Sequence, residues 1–196
     1  MYPETHRGGM DPGGQLQSSY PIATAKRAAF ECREKIIEYV SSVFDEPFRK
    51  SLKIVIAGSI LRKKEFVRDI DIVINSQEGK IRNFCAILIG TPVMLSKISG
   101  KYEFIEIFQE KISIPTQIWF CVNEEWAPML LEVTGPKNFN QFLRNCAKRQ
   151  NMYLSSKGLF SRNIDQTPGT RIDNNTEGDI IWAILGKSWI KPEERY

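Results

Sequence analysis

The sequence predicts an α+β fold: a mixed β-sheet with helices on one face, followed by a small α/β lobe. Three observations predict it. Between residues 22 and 44, Ala25, Ala28, Ala29, Cys32, Ile36, Ile37 and Val40 recur at three- and four-residue steps, the apolar stripe of a helix laid on a sheet. Residues 52–57 and 70–74 are short β-branched runs, the second interrupted only by Asp71, and read as buried strands. Thr134-Gly135-Pro136 then breaks the chain, because glycine permits dihedrals that other residues avoid and proline stops a preceding helix. These marks divide the 196 residues into a flexible tail over 1–18, a first domain over 19–133 and a second over 134–196.

The tail is rich in Gly, Pro and Ser and carries no hydrophobic period. Residues 81–89 predict a short helix, and 102–109 and 113–122 two more strands about a polar turn at Glu110-Lys111. Asn123, Glu124 and Glu125 supply a cap and negative charge for a helix running through Leu131. In the second domain, residues 137–150 predict a helix with Phe139, Phe142, Leu143 and Cys146 on one face. Asn140, Arg144 and Lys148 align at four-residue spacing on the other, a stripe that is either solvated or laid in a nucleic-acid groove. Strands around Tyr153 and over 159–160 and a helix over 177–185 complete the lobe.

Composition narrows the chemistry. His6, the only histidine, lies in the tail, which argues against histidine-based catalysis or metal binding. Cys32, Cys85, Cys121 and Cys146 lack the short spacing of a zinc site and read as reduced, mostly buried thiols. No segment reaches the roughly 18 to 20 apolar residues of a membrane span, and the N-terminus lacks the apolar core of a signal peptide. The expected location is therefore intracellular, in the cytoplasm, or in the cytoplasm or nucleus of a host cell if the source is viral. A net charge of +4 leans towards an anionic partner, with Lys50, Lys53, Arg62, Lys63, Lys64 and Arg68 in one group and Lys137, Arg144, Lys148 and Arg149 in another.

The chemistry concentrates in Gly58-Ser59, followed eleven residues after the glycine by Asp69-Ile70-Asp71. On a strand, residues i and i+2 share a face, so Asp69 and Asp71 stand side by side. Two carboxylates so placed need a cation between them, and Mg²⁺ suits hard oxygen ligands supplied jointly by carboxylates and phosphates. Gly-Ser before such a pair reads as a small-residue cradle for those phosphates.

Helix, strand, Gly-Ser turn, Asp-x-Asp strand, Thr-Gly hinge and a C-terminal Leu-Gly…Pro-Glu-Glu-Arg stretch together resemble the DNA polymerase β-type, family X, nucleotidyltransferases over about residues 20–196. The resemblance implies a palm followed by a thumb, without lyase and helix-hairpin-helix modules. It implies that Gly58, Ser59, Arg62, Thr134, Gly135 and Asn140 bind the nucleotide, with Ser59 and Arg62 on the triphosphate and Asn140 on the incoming base. Asp69 and Asp71 would ligate two Mg²⁺ ions, which Mn²⁺ can replace, and Arg144 and Lys148 would contact DNA. The implied partners are gapped or primer–template DNA and a nucleoside triphosphate, with no membrane, and the chain is expected to be a monomer.

The pattern is broken at one catalytic position. The family's third aspartate lies seventeen residues before the Thr of Thr-Gly, which here is Gln117. An amide offers an oxygen but neither a charge nor a base, and general-base assistance is typically worth about 10² to 10⁴ in rate. A hairpin with a two-residue turn at Glu110-Lys111 sets Gln117 opposite Phe104 with Glu106 diagonal to it on the same face; a longer loop brings Glu103 there instead. Leu61 replaces the first of two arginines after Gly-Ser-x, and Glu132-Val133 replaces the aromatic pair before Thr-Gly, so sugar preference does not carry over. Two further readings stand beside polymerisation: a nucleotide- or DNA-binding relative without turnover, and a transferase acting on RNA or protein.

Overall fold

The structure, a computed structural model, describes residues 6–10, 16–87, 104–109 and 112–195, with side chains over 19–85 and 114–195. Strands β1 (His6–Met10) and β2 (Leu16–Pro21) pair antiparallel, so the segment expected to be a tail without regular structure contributes two strands. Helix α1 (Ile22–Val43) buries Ala25, Ala28, Ala29, Cys32, Ile36 and Val40, the stripe that its sequence period defines. A short helix α2 (Glu46–Ser51), capped by the Asp45 carboxylate accepting from the Phe48 N–H at 3.1 Å, leads into β3 (Ile54–Ile56). The Gly-Ser segment is not a bare turn but the start of a one-turn helix, α3 (Gly58–Leu61). Then come β4 (Phe66–Val67), which pairs with β2, and β5 (Ile70–Ile74). Helix α4 (Gly79–Ile87) follows.

The central sheet is completed by β6 (Phe104–Gln109) and β7 (Ile112–Phe120), in the order β3-β5-β7-β6. Only the β5–β7 pairing is parallel, which makes the sheet mixed as predicted. Period-two alternation sorts its residues. Ile70, Ile72, Ile74, Ile114 and Ile118 join the core beneath α1, whereas Val73, Trp119 and Cys121 pack against Met129. Asp71 and Gln117 alternate onto that second face, where they are exact register partners.

The β6–β7 hairpin departs from the expected register. Gln109 and Ile112 pair across a two-residue turn, but an irregularity between Ile107 and Gln109 shifts the ladder, so Glu106 rather than Phe104 lies opposite Gln117, and Phe104 lies opposite Trp119. The shift falls where β7 carries Pro115, which has no N–H to give the ladder. Glu103 lies outside the described residues.

Helix α5 (Trp126–Thr134) begins later and ends later than predicted, after a 3-10 turn at Asn123–Glu125. Asn123 starts that turn instead of capping α5, and its Oδ1 accepts from Asn75 Nδ2 at 2.6 Å. Past Gly135, α6 (Lys137–Arg149) packs Phe139, Leu143 and Ala147 on a three-stranded sheet of β8 (Met152–Ser155), β9 (Gly158–Arg162) and β10 (Pro168–Ile172) and on α7 (Glu177–Leu185). Phe142, expected on the buried face, is 50% exposed. Thr176 and Asp179 close a capping box at the start of α7, and Gly186 ends it in the left-handed conformation.

The C-terminal segment returns to the core. Arg195 is 2% exposed, donates from Nη1 to Glu177 at 2.9 Å and from Nε to the Ile190 carbonyl at 3.1 Å, and lies over the Phe139 ring. Beside it, Lys63 of the first domain pairs with Glu193 at 2.7 Å. Removing one partner of a buried ion pair leaves the other charge stranded, at a cost of about 3–5 kcal/mol. In urea denaturation, Glu177→Ala is expected to lose stability of that order, whereas Glu46→Ala, which breaks the exposed Glu46–Lys50 pair, leaves the midpoint in place. Equal effects of the two substitutions would contradict this assignment.

Candidate active site

Strand pairing builds the site. The Ala57 N–H donates to the Asp71 carbonyl at 2.8 Å, extending the β3–β5 ladder by one step and setting Gly58 against Asp71. Gly58 has φ +61, and a Cβ built on it would lie 1.9 Å from Asp71 Oδ2, so only glycine satisfies both the backbone and the carboxylate. From the other side, Trp119 Nε1 donates to Asp71 Oδ1 at 3.0 Å. The carboxylate is thus held on both flanks.

Asp69, Asp71, Ser59 and Arg62 face Gly135, Asn140 and Arg144 across a cleft of about 290 Å³ that Glu132, Val133, Pro136 and Lys137 also line. The cleft lies between the central sheet and the second lobe. Arg62 spans it, donating from Nη1 to the Thr134 carbonyl. Around it, Ser59 Oγ, Arg62 Nε, Thr134 Oγ1 and Asn140 Oδ1 are buried without a hydrogen-bond partner among the described residues. Native proteins leave few such groups unpaired, and here three of the four belong to residues that line one cleft.

Electrostatics single out the carboxylates. Burial pushes the Asp71 pKa up to about 7, and the neighbouring Asp69 charge adds to it, against the opposing effects of the Trp119 hydrogen bond and Arg62. Burial also raises Asp69, with Arg62 opposing. Arg62 is lowered by burial while both aspartates hold it up. One guanidinium therefore balances two desolvated carboxylates only in part, which is the charge state a divalent cation completes.

The expected residues do not all meet there. Gly58 forms the floor under Asp71 but does not line the cleft, and Thr134 contributes its carbonyl while its side chain is fully buried. Gln117 is the strand neighbour of Asp71 without lining the cleft. Asn140 is 5% exposed, so it does not belong to a solvated stripe: its Nδ2 donates to the Glu132 carbonyl at 2.8 Å. Arg144 is bonded to the Glu132 carboxylate. Lys148 lies outside this cleft, in an adjoining groove with Arg144, Tyr153, Lys157, Phe160 and Arg162. Of the first basic group only Arg62 reaches the cleft; Lys53 lies over Trp126, and Lys50 and Lys63 have acidic partners.

Trp119, on Asp71, and Glu132, on Arg144 and Asn140, join the expected site residues. The Trp119 contact crosses from one strand to the next and two residues along, which no local pattern records. Glu132 carried a signal, since an acid stands where the family resemblance expects an aromatic residue.

The raised pKa of Asp71 has a thermodynamic sign. The folded state keeps a proton that the unfolded chain releases from pH 3.8 upward, so this group lowers stability as pH rises, fully so above about 7. In EDTA, Asp71→Asn is expected to melt several degrees above the unsubstituted protein at pH 8 and level with it near pH 4. A difference that does not change with pH would contradict the assigned burial.

Residues 129–196 match the family of the DNA polymerase beta thumb. Among solved structures, the chain is similar to Leishmania infantum polymerase beta in a ternary P/T complex, at 19% identity over 91% of this chain and 77% of that one, with a TM-score of 0.67. The ternary gap complex of that polymerase gives 19% identity over 90% and 70%, with a TM-score of 0.66. No curated protein matches the sequence. The chain thus has a fold similar to that of polymerase beta, and residues 129–196 are similar to the polymerase beta thumb.

Proposed function

We propose that the chain is a nucleotidyltransferase that adds nucleotides to a DNA 3′ end, with residues 19–133 as palm and 134–196 as thumb. The observation that carries this reading is the convergence of two desolvated carboxylates with unpaired Ser59, Arg62 and Asn140 groups on one cleft. The thumb match and the fold agree with it.

These residues fit Mg²⁺ and a triphosphate. Asp69 and Asp71 supply hard anionic oxygens, and Ser59 Oγ and Arg62 Nε are donors with no partner inside the protein. When bound, two such ions lower the pKa of a primer hydroxyl and neutralise the leaving pyrophosphate. The chain itself does the positioning. Arg62, tied to the Thr134 carbonyl, holds phosphate oxygens against the thumb, and Asn140 offers its free Oδ1 to the incoming base. Arg144 and Lys148 lead into the adjoining groove, where Tyr153, Phe160, Lys157 and Arg162 offer stacking faces and cations to a DNA strand. The proposed setting is DNA repair.

One observation favours a second reading, a nucleotide- or DNA-binding relative without turnover: the strand neighbour of Asp71 is an amide, Gln117. Primer extension on gapped DNA with Mg²⁺ or Mn²⁺ separates the two. The unsubstituted protein is expected to extend the primer, Asp71→Ala to abolish extension, and Gln117→Asp to raise it by a factor within about 10² to 10⁴. No extension by the unsubstituted protein, with nucleotide binding intact, would favour the second reading.

A further inference from the structure

We propose that the Glu132–Arg144 ion pair is an autoinhibitory latch: the Glu132 carboxylate takes the place of a nucleic-acid phosphate on Arg144, and a bound DNA strand has to displace it. The inference rests on the DNA-binding part of the reading above and not on turnover.

The pair stands at a junction. Among the described residues, Glu132 and Arg144 alone line both the cleft that holds Asp69 and Asp71 and the adjoining groove, which encloses about 790 Å³. Their side chains, 25% and 31% exposed, are bonded to each other there. The bond ties the end of α5 to the second turn of α6 across Gly135, whose φ is +61. A DNA strand that runs from the groove into the cleft passes over this pair.

A carboxylate and a phosphodiester offer a guanidinium the same kind of anionic oxygens, so the two compete for one set of N–H donors. Glu132 depends on its partner for compensation. It lies in the last turn of α5, where the helix dipole disfavours an anion, and that turn carries no basic residue. Asp69 and Asp71 line the same cleft and add negative charge near it. A phosphate that takes Arg144 therefore leaves the carboxylate uncompensated. Lys148, Lys157 and Arg162 lie along the groove, so a DNA strand gains further phosphate contacts that offset this cost. The carboxylate can also be tested apart from the backbone around it, because Asn140 donates to the Glu132 carbonyl and not to its side chain.

The test is a double-mutant cycle on DNA affinity. Fluorescently labelled gapped DNA is titrated at one fixed salt concentration with the unsubstituted protein, Glu132→Gln, Arg144→Ala and the double variant, and binding is read by anisotropy. Glu132→Gln is expected to bind about 10-fold more tightly than the unsubstituted protein, because Arg144 no longer has to be taken from a competitor. Arg144→Ala is expected to bind more weakly, and adding Glu132→Gln to it is expected to restore almost nothing. Damage to the hinge lowers affinity, so a gain marks the release of a competitor rather than a change in folding. Unchanged or weaker binding by Glu132→Gln would overturn the proposal. So would an equal gain in the Arg144→Ala background, since the carboxylate would then repel DNA at large without occupying Arg144. In either case DNA binding by the unsubstituted protein leaves the reading of the groove in place. If none of the four proteins binds DNA, that reading fails and the inference fails with it.

Discussion

The architecture depends on how one carboxylate, that of Asp71, is held. Glycine at 58 leaves the volume that Oδ2 occupies, and the Trp119 indole N–H fixes Oδ1. Both restraints are delivered by the sheet: β3 brings Gly58 alongside the start of β5, and β7 brings Trp119 two residues along from Gln117, the register partner of Asp71. Neither the Gly-Ser helix nor the neighbouring Met129 contact has to supply a charge. The result is an anionic oxygen pair, poorly solvated and rigidly aimed, at the boundary between the two lobes. Preorganisation of this kind gives a phosphoryl-transfer site its leverage, because little motion is needed when the substrate arrives.

The same contacts couple the lobes. Arg62, three residues past Ser59, is anchored on the Thr134 carbonyl at the end of α5, and the adjacent Lys63 is anchored on Glu193 in the C-terminal segment. That segment is fixed in turn by Arg195, buried against Glu177 and Phe139. A displacement of the thumb is therefore felt at the loop that follows the Gly-Ser element. The cleft residue Glu132 completes the circuit, accepting Asn140 on its carbonyl and Arg144 on its carboxylate, so α6 and α5 present their polar groups as one unit.

What the sequence made legible was local. The α1 stripe from Ala25 to Val40 and the β-branched run at 70–74 follow from a periodicity of a few residues and are where that periodicity places them; Asp69 stands just before β5 rather than on it, yet lines the same cleft as Asp71. What escaped depends on partners distant in sequence. Asn140 reads as polar and exposed on its own helix, yet it is buried because the Glu132 carbonyl across the hinge takes its amide hydrogen. Asn123 reads as a helix cap, yet Asn75 claims its oxygen. The β6–β7 register departs from hairpin arithmetic, which assumes an unbroken ladder, and Pro115 sits where the ladder shifts. Trp119 is an unremarkable strand aromatic until β5 lies beside it.

The central claim is that the pair at Asp69 and Asp71 is a metal–nucleotide site. Its most direct test is a crystal structure of the protein with Mn²⁺ and a non-hydrolysable deoxynucleoside triphosphate, with data collected at the manganese absorption edge. The account predicts an anomalous peak in contact with both carboxylates and the triphosphate lying along Ser59 and Arg62. Nucleotide density elsewhere on the protein, or manganese bound away from this pair, would contradict it.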